Sequence, residues 1–250
     1  MALINHAKKE INAKIVYFGP AQSGKNTVLA YIYSRIKPFL RGEFKCVPAG
    51  ADELMFFDFS PFESALPNGY HLRLHIYTLT GTVTNPATWK MTLKGTDGIM
   101  ILLDPALTNS AEASESVSQL RDFLSAYGVG LHETPAVLQL TSSTREILPD
   151  EAAQIAAALD LSALSTCRAD AASGEGVLEA LTILSRLILD RVALCDEPSA
   201  AVKDDAVPSL HVALLPHEVV AEGGTIRIPL TIGEHGALRR LVVTVNVELE

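Results

Sequence analysis

One nine-residue segment constrains this chain more than any other. An apolar run over residues 13–18 leads straight into Gly19-Pro20-Ala21-Gln22-Ser23-Gly24-Lys25-Asn26-Thr27, and a helical pattern takes over at residues 25–36. Gly19, four residues, Gly24 and Lys25 match the pattern G-x-x-x-x-G-K-[ST], except that Asn26 stands at its last position. The chemistry needs this arrangement. Glycines let the backbone curl so that several N–H groups face one phosphate chain, and the helix N-terminus adds a favourable partial charge. Lys25 would reach the outer phosphates as a point charge. The plainer reading is an ordinary glycine-containing strand-to-helix turn. The Gly-Lys pair in its strand–loop–helix context favours phosphate binding, with Gln22, Ser23, Asn26 and Thr27 completing the candidate set.

Beyond the loop, short apolar runs alternate with longer amphipathic stretches. Strands are expected at residues 13–18, 54–59, 72–77, 98–103, 136–140 and 165–168, and helices at 25–36, 111–127, 150–158 and 177–194. In the last helix Leu178, Leu181, Leu184, Ile188 and Val192 form a wide apolar stripe, broken by Glu179, Arg186, Asp190 and Arg191. Near-continuous apolar strands alternating with helices imply an α/β sheet covered on both faces. The runs at 54–59 and 72–77 have no helix between them. They imply one antiparallel pair, so the sheet is mixed.

The rhythm changes near residue 197. Residues 197–209, EPSAAVKDDAVPS, are Pro-bounded, small and acidic, and read as a linker between a domain at 1–196 and an appendage at 210–250. In the appendage Ile226, Ile228 and Leu230, then Val243, Val245 and Val247, alternate as in strands with one buried face. About 40 residues in three strands cannot bury a full core. This β-rich piece must dock on the first domain, on a copy of itself or on a partner, and its strand edges invite self-association.

Composition excludes several classes. The 29 acidic against 20 basic side chains, a net charge of −9, argue against a nucleic-acid binder. That charge does not mark an acidic tail: residues 197–250 hold 8 acidic and 4 basic groups (−4), leaving −5 for the rest. No run reaches the roughly 18–20 apolar residues of a membrane span. The start, MALINHAKKEIN, has no apolar stretch behind a basic end and does not read as a signal peptide. Three scattered cysteines, Cys46, Cys167 and Cys195, form no disulfide framework and no metal spacing, which fits a reducing, cytoplasmic setting.

Other candidates reduce to plain readings. His71 and His75 share a strand face roughly 13 Å apart, too far for one metal. His6, His132, His211, His217 and His235 are scattered. The serines at 110–118 decorate a helix, and Asp58 reads as a solvent-facing strand residue. Trp89, beside Pro86 and Met91, suits core packing and a partner surface equally.

Several segments carry a resemblance. They are YFGPAQSGKNT, FFDF at 56–59, LHIYTLTG at 74–81 and GTDGIMILLD at 95–104, with the opening INHAKKEINAKIVYFGP and the final helix GVLEALTILSRLILDRVA. Over about residues 3–194 the chain resembles the small Ras/Arf-like GTPases, most closely the MglA-like GTPases of bacterial gliding motility and cell polarity. The resemblance implies a Ras-like P-loop fold with a six-stranded mixed sheet flanked by helices. It also implies GTP and GDP as ligands with magnesium, and Roadblock-type partners that stimulate hydrolysis. Nothing in it covers 197–250.

Set against that family, most residues that do chemistry are changed. The magnesium-ligating Ser/Thr is Asn26, whose amide oxygen carries no charge. The Asp-x-x-Gly segment reads Thr78-Leu79-Thr80-Gly81, keeping only Gly81 for the outer phosphate, and the water-orienting position is Thr82. The switch threonine falls on Leu54, which has no oxygen to offer. The guanine-reading Asn-Lys-x-Asp reads Thr141-Ser142-Ser143-Thr144, so Thr141, Ser142 and Thr144 are left as candidate base contacts without a carboxylate. Glu146 and Asp170 are the nearby carboxylates in sequence. The retained set would hold phosphates; the lost set would bind magnesium, orient water and read guanine. The expectation is a pseudo-GTPase with weak or altered nucleotide binding and doubtful magnesium, acting as a regulatory or scaffolding module. The competing reading is an atypical GTP switch completed by a partner. A third, an adenine-nucleotide or kinase-like P-loop protein, is disfavoured by FFDF and IYTLTG.

Overall fold

A computed structural model describes residues 3–50, 52–66, 69–80, 86–142, 147–170 and 172–196, and the strand backbones within 211–246. The chain divides into two compact units, Met1–Glu197 and Pro198–Glu250.

In the first unit the order is β1 (Leu3–Asn5), β2 (Glu10–Phe18), α1 (Lys25–Arg35), β3 (Lys45–Ala49), β4 (Asp52–Phe59), β5 (His71–Leu79), α2 (Pro86–Leu93), β6 (Gly98–Leu103), α3 (Ser110–Ser125), β7 (Ala136–Thr141), α4 (Pro149–Ala158), β8 (Ser165–Ala169) and α5 (Val177–Asp196). The strands lie in the order β3-β4-β5-β2-β6-β7-β8, with β1 added on β2. β2 runs parallel to both β5 and β6, and β6, β7 and β8 continue in parallel. β3 and β4 form the antiparallel end. This is the mixed, helix-flanked α/β sheet of the Ras-like P-loop fold.

The sequence dictates this layering. Every residue of β6, GIMILL, and of β7, AVLQLT, is buried, as strands covered on both faces must be. Successive side chains then feed opposite cores. Val16, Phe18, Ile99, Ile101, Leu103, Leu138 and Leu140 pack with residues of α2, α3 and α4 on one face. Ile15, Tyr17, Ile76, Met100 and Leu102 pack with α1 and α5 on the other, where Leu184 and Ile188 of the apolar stripe sit.

Among the described residues eight strands, not six, build this sheet. The additional ones are β1, only three residues long, and β3, KCVPA. β3 shows no alternation because it is an exposed edge, a place where a proline such as Pro48 is tolerated. The sequence also gives no sign of α2. Eight residues complete barely two turns, too few for an apolar repeat to register. Within it Trp89 is fully buried, edge-on to Phe18 at a centroid distance of 4.6 Å, so it packs the core, while Met91 is 75% exposed. Asp58 is half-buried and paired with Arg73 instead of simply facing solvent. Among the described residues no helix is long and apolar enough to cross a membrane.

In the second unit β11 (Thr225–Glu234) and β12 (Ala237–Asn246) form a long antiparallel ribbon. β9 (His211–Leu214) and β10 (Val220–Glu222) pair with different parts of β11. The sequence-based linker, residues 197–209, lies outside the described residues.

Leu184→Ala removes a fully buried side chain where α5 meets the sheet. It should lower the unfolding free energy by about 2–5 kcal/mol in urea titrations. Met91→Ala, at an exposed position, should stay within about 0.5 kcal/mol.

Candidate phosphate-binding site

The site begins where β2 ends. After Phe18 the chain passes Gly19, where an added Cβ would stand 2.2 Å from the Leu102 carbonyl oxygen. Only a residue without a side chain permits that approach. The loop then curls through two left-handed residues, Gln22 (φ 61) and Gly24 (φ 82), and Gly24 caps α1. Glycine takes that conformation at no steric cost. The geometry is that of a loop wrapping toward a helix N-terminus, where backbone N–H groups gather for an anion.

Lys25 is buried and turned into its own loop. Its Nζ donates to the Gly19 carbonyl at 2.7 Å, to the Pro20 carbonyl at 2.5 Å and to Ser23 Oγ at 3.4 Å. Burial pulls its pKa down to about 8, partly offset by the nearby Asp52 carboxylate. Ser23 is fully buried, whereas Asn26 and Thr27 are exposed on the first turn of α1.

Thr141 and Ser142 are brought to the same end of the sheet. Thr141 is 1% exposed, and its hydroxyl donates to the Ser23 carbonyl at 2.9 Å and the Leu103 carbonyl at 3.2 Å. It therefore clamps the loop to β7. Ser142 is buried too, and its N–H donates to the Ala169 carbonyl at 3.1 Å. Asp170 follows at the end of β8. Its Oδ1 accepts from the Ala172 N–H at 2.7 Å, and this bond holds the carboxyl below its usual range. Gly81, Thr82, Thr144 and Glu146 lie outside the described residues.

One further residue, Asp52, matters that spacing rules do not reveal. Asp52 opens β4, next to a staple in which the Thr80 N–H donates to the Glu53 carbonyl at 2.9 Å and the Glu53 N–H to Thr80 Oγ1 at 3.0 Å. Asp52 is 7% exposed, and its Oδ2 has no hydrogen-bond partner among the described residues. It supplies a negative charge near Lys25 that no motif in the sequence signals. Thr78, where the resemblance places an acidic residue, is fully buried and donates from Oγ1 to the Tyr17 carbonyl at 2.9 Å.

The donor set does not suit magnesium as the family holds it. A hard cation takes oxygen ligands, with carboxylates or hydroxyls at the family's positions. Asn26 offers a neutral amide, Leu54 offers no oxygen, and the Thr78 hydroxyl is spent inside the sheet. Among the described residues no three His, Cys, Asp or Glu side chains gather to hold a metal.

The chain is 33% identical over 191 residues to the mutual gliding-motility protein MglA of Myxococcus xanthus, a match covering 76% of this chain and 96% of that protein. The chain belongs to the MglA-like small GTPases. No protein-family model matches it. The two left-handed loop residues and buried Lys25 show how this chain builds the loop of that Ras-like fold.

Two outcomes check this site. Thr141→Val removes a buried donor and leaves two carbonyls without it. It should cost about 1–3 kcal/mol of stability in urea unfolding. Between pH 8 and 10.5 the unfolded chain keeps the Lys25 proton that the folded chain has released, so this group adds stability as pH rises through that window. Lys25→Met should abolish that rise, measured by urea unfolding at stepped pH.

Proposed function

We propose that this chain is a degenerate MglA-like protein, a pseudo-GTPase that acts as a regulatory or scaffolding module. The observation that carries the reading is Thr78. The hydroxyl at a position of the nucleotide-sensing segment is sealed in the sheet on the Tyr17 carbonyl. With it go the uncharged Asn26, the oxygen-free Leu54 and the absence of a carboxylate at Thr144. Each charge-assisted bond lost at the base is worth roughly 1.5–3 kcal/mol, so two lower guanine affinity by a factor of hundreds or more. The loop scaffold remains, and Gly19, Gln22, Ser23, Gly24, Lys25, Asn26, Thr27 and Gly81 are the proposed phosphate contacts. Thr141, Ser142 and Thr144 are the proposed base contacts, with Thr141 also holding the loop through the Ser23 carbonyl. Nucleotide then binds weakly, as GTP or GDP without strict dependence on magnesium.

In this reading the protein works through a protein partner, of which a Roadblock-type regulator is the proposed class, in a cytoplasmic polarity or motility system. The competing reading is a working switch that borrows missing groups from such a partner. One observation favours it: the buried Asp52 carboxylate keeps an oxygen unpartnered among the described residues near the loop. It would supply an anionic oxygen that Asn26 lacks.

Calorimetry with GTP, GDP and ATP, with and without magnesium, separates the two, together with identification of nucleotide released on denaturation. The pseudo-GTPase predicts weak binding with little base preference and hydrolysis slower than active relatives by roughly 100-fold or more. Residual binding should weaken as pH rises past 8, where Lys25 loses its charge, and should vanish in Lys25→Ala. Tight, magnesium-dependent GTP binding with hydrolysis at the rate of active relatives would sink the proposal.

A further inference from the structure

Carboxylates gather at the end of the sheet that carries the loop. Asp104 follows β6, and its Oδ1 accepts from the Ala106 N–H at 2.8 Å. Asp170 follows β8 and accepts from the Ala172 N–H at 2.7 Å. Backbone dipoles meet both charges. Asp52 differs: it is 7% exposed, and its Oδ2 has no hydrogen-bond partner among the described residues. A buried charge left partly unpaired costs free energy and asks for an explanation.

Strand register places this carboxylate. Tyr17 of β2 stands beside Thr78 of β5, and Leu79 of β5 beside Leu54 of β4. Beyond that row Thr80 and Glu53 are stapled by two hydrogen bonds. β2 runs parallel to β5, so the loop leaves β2 at this same level. Asp52, one residue before Glu53, is therefore fixed level with the loop. Its charge reaches Lys25, whose hold on the proton it strengthens. Both groups are buried, so the fixed charges facing a phosphate held by Lys25 are one ammonium and one carboxylate.

A carboxylate in such a place either takes a cation or repels an anion. The neighbouring oxygens are committed elsewhere. Thr80 Oγ1 accepts from the Glu53 N–H, Thr78 Oγ1 donates to the Tyr17 carbonyl, and Leu54 offers none. We propose that Asp52 sets the ligand preference of the phosphate site by repelling the outermost phosphate, so that the site favours diphosphate over triphosphate. The inference rests on the loop being a phosphate site, as proposed above, and names a further cause of its weak binding. For charges roughly 8 Å apart at an effective dielectric constant of about 20, one such repulsion corresponds to about thirtyfold in affinity. The penalty grows with the ligand's charge, so it falls hardest on the triphosphate.

Calorimetry on the full chain in EDTA, with inorganic pyrophosphate, GDP and GTP, tests this. Asp52→Asn and Asp52→Ser should each bind all three ligands about tenfold or more tightly than the unaltered protein, with the larger gain for GTP. Binding detectable only in these variants would support the proposal equally. Glu53→Gln removes the same charge from the neighbouring exposed residue and should change affinity less than about threefold. Circular dichroism of each variant confirms that it is folded. Repeating the titrations with magnesium separates the two ideas. Tight, magnesium-dependent GTP binding by the unaltered protein would sink the pseudo-GTPase reading, while the comparison in EDTA still decides the role of Asp52. Unchanged or weaker binding in the Asp52 variants in EDTA would overturn the proposal. So would a gain no larger for GTP than for GDP, an equal gain in Glu53→Gln, no binding by any variant, or a magnesium dependence that disappears with the carboxylate.

Discussion

The approach of Gly19 to the end of β6 is the contact on which the functional end of the first unit depends. The Leu102 carbonyl leaves no room for a side chain at residue 19, so the chain must leave β2 through glycine. Because β2 is parallel to both β5 and β6, all three strands end on the same side of the sheet. The loop, Thr78, Thr80 and Thr141 are then neighbours by construction. A core packed on both faces makes this arrangement rigid, since interiors at crystal-like density do not deform continuously.

Charge at this end is balanced within the protein. Lys25 spends its ammonium on the carbonyls of its own loop, and burial weakens its hold on the proton. Asp52 offsets part of that cost from the neighbouring hairpin. A phosphate placed at this loop would therefore compete with contacts that Lys25 already makes. On the proposed reading, a scaffold that kept its fold without the family's chemistry would suit a module read by protein partners, because recognition of a surface needs the fold and not hydrolysis.

Much of this was legible in the sequence, for local reasons. The loop shows because its glycines and lysine act through spacing alone. β6 and β7 show because a strand buried on both faces must be apolar throughout. The edges were not legible. β3 is exposed and interrupted by Pro48, and β1 and α2 are too short for a period to register. The plain reading of Asp58 missed its pairing with Arg73 on the adjacent strand, and that of Trp89 was divided until its packing on Phe18 settled it.

By itself the sequence determined the α/β layering and the glycine-lysine loop between the first long strand and its helix, because apolar patterning and spacing express those directly. Only the tertiary structure decided what the remaining polar groups do. Thr141 bonds to the loop across 118 residues of chain and Thr78 to β2 across 61, and Asp52 reaches the loop's end of the sheet through the register of a hairpin. Those partners are set by which strands lie side by side, and no local pattern records that order.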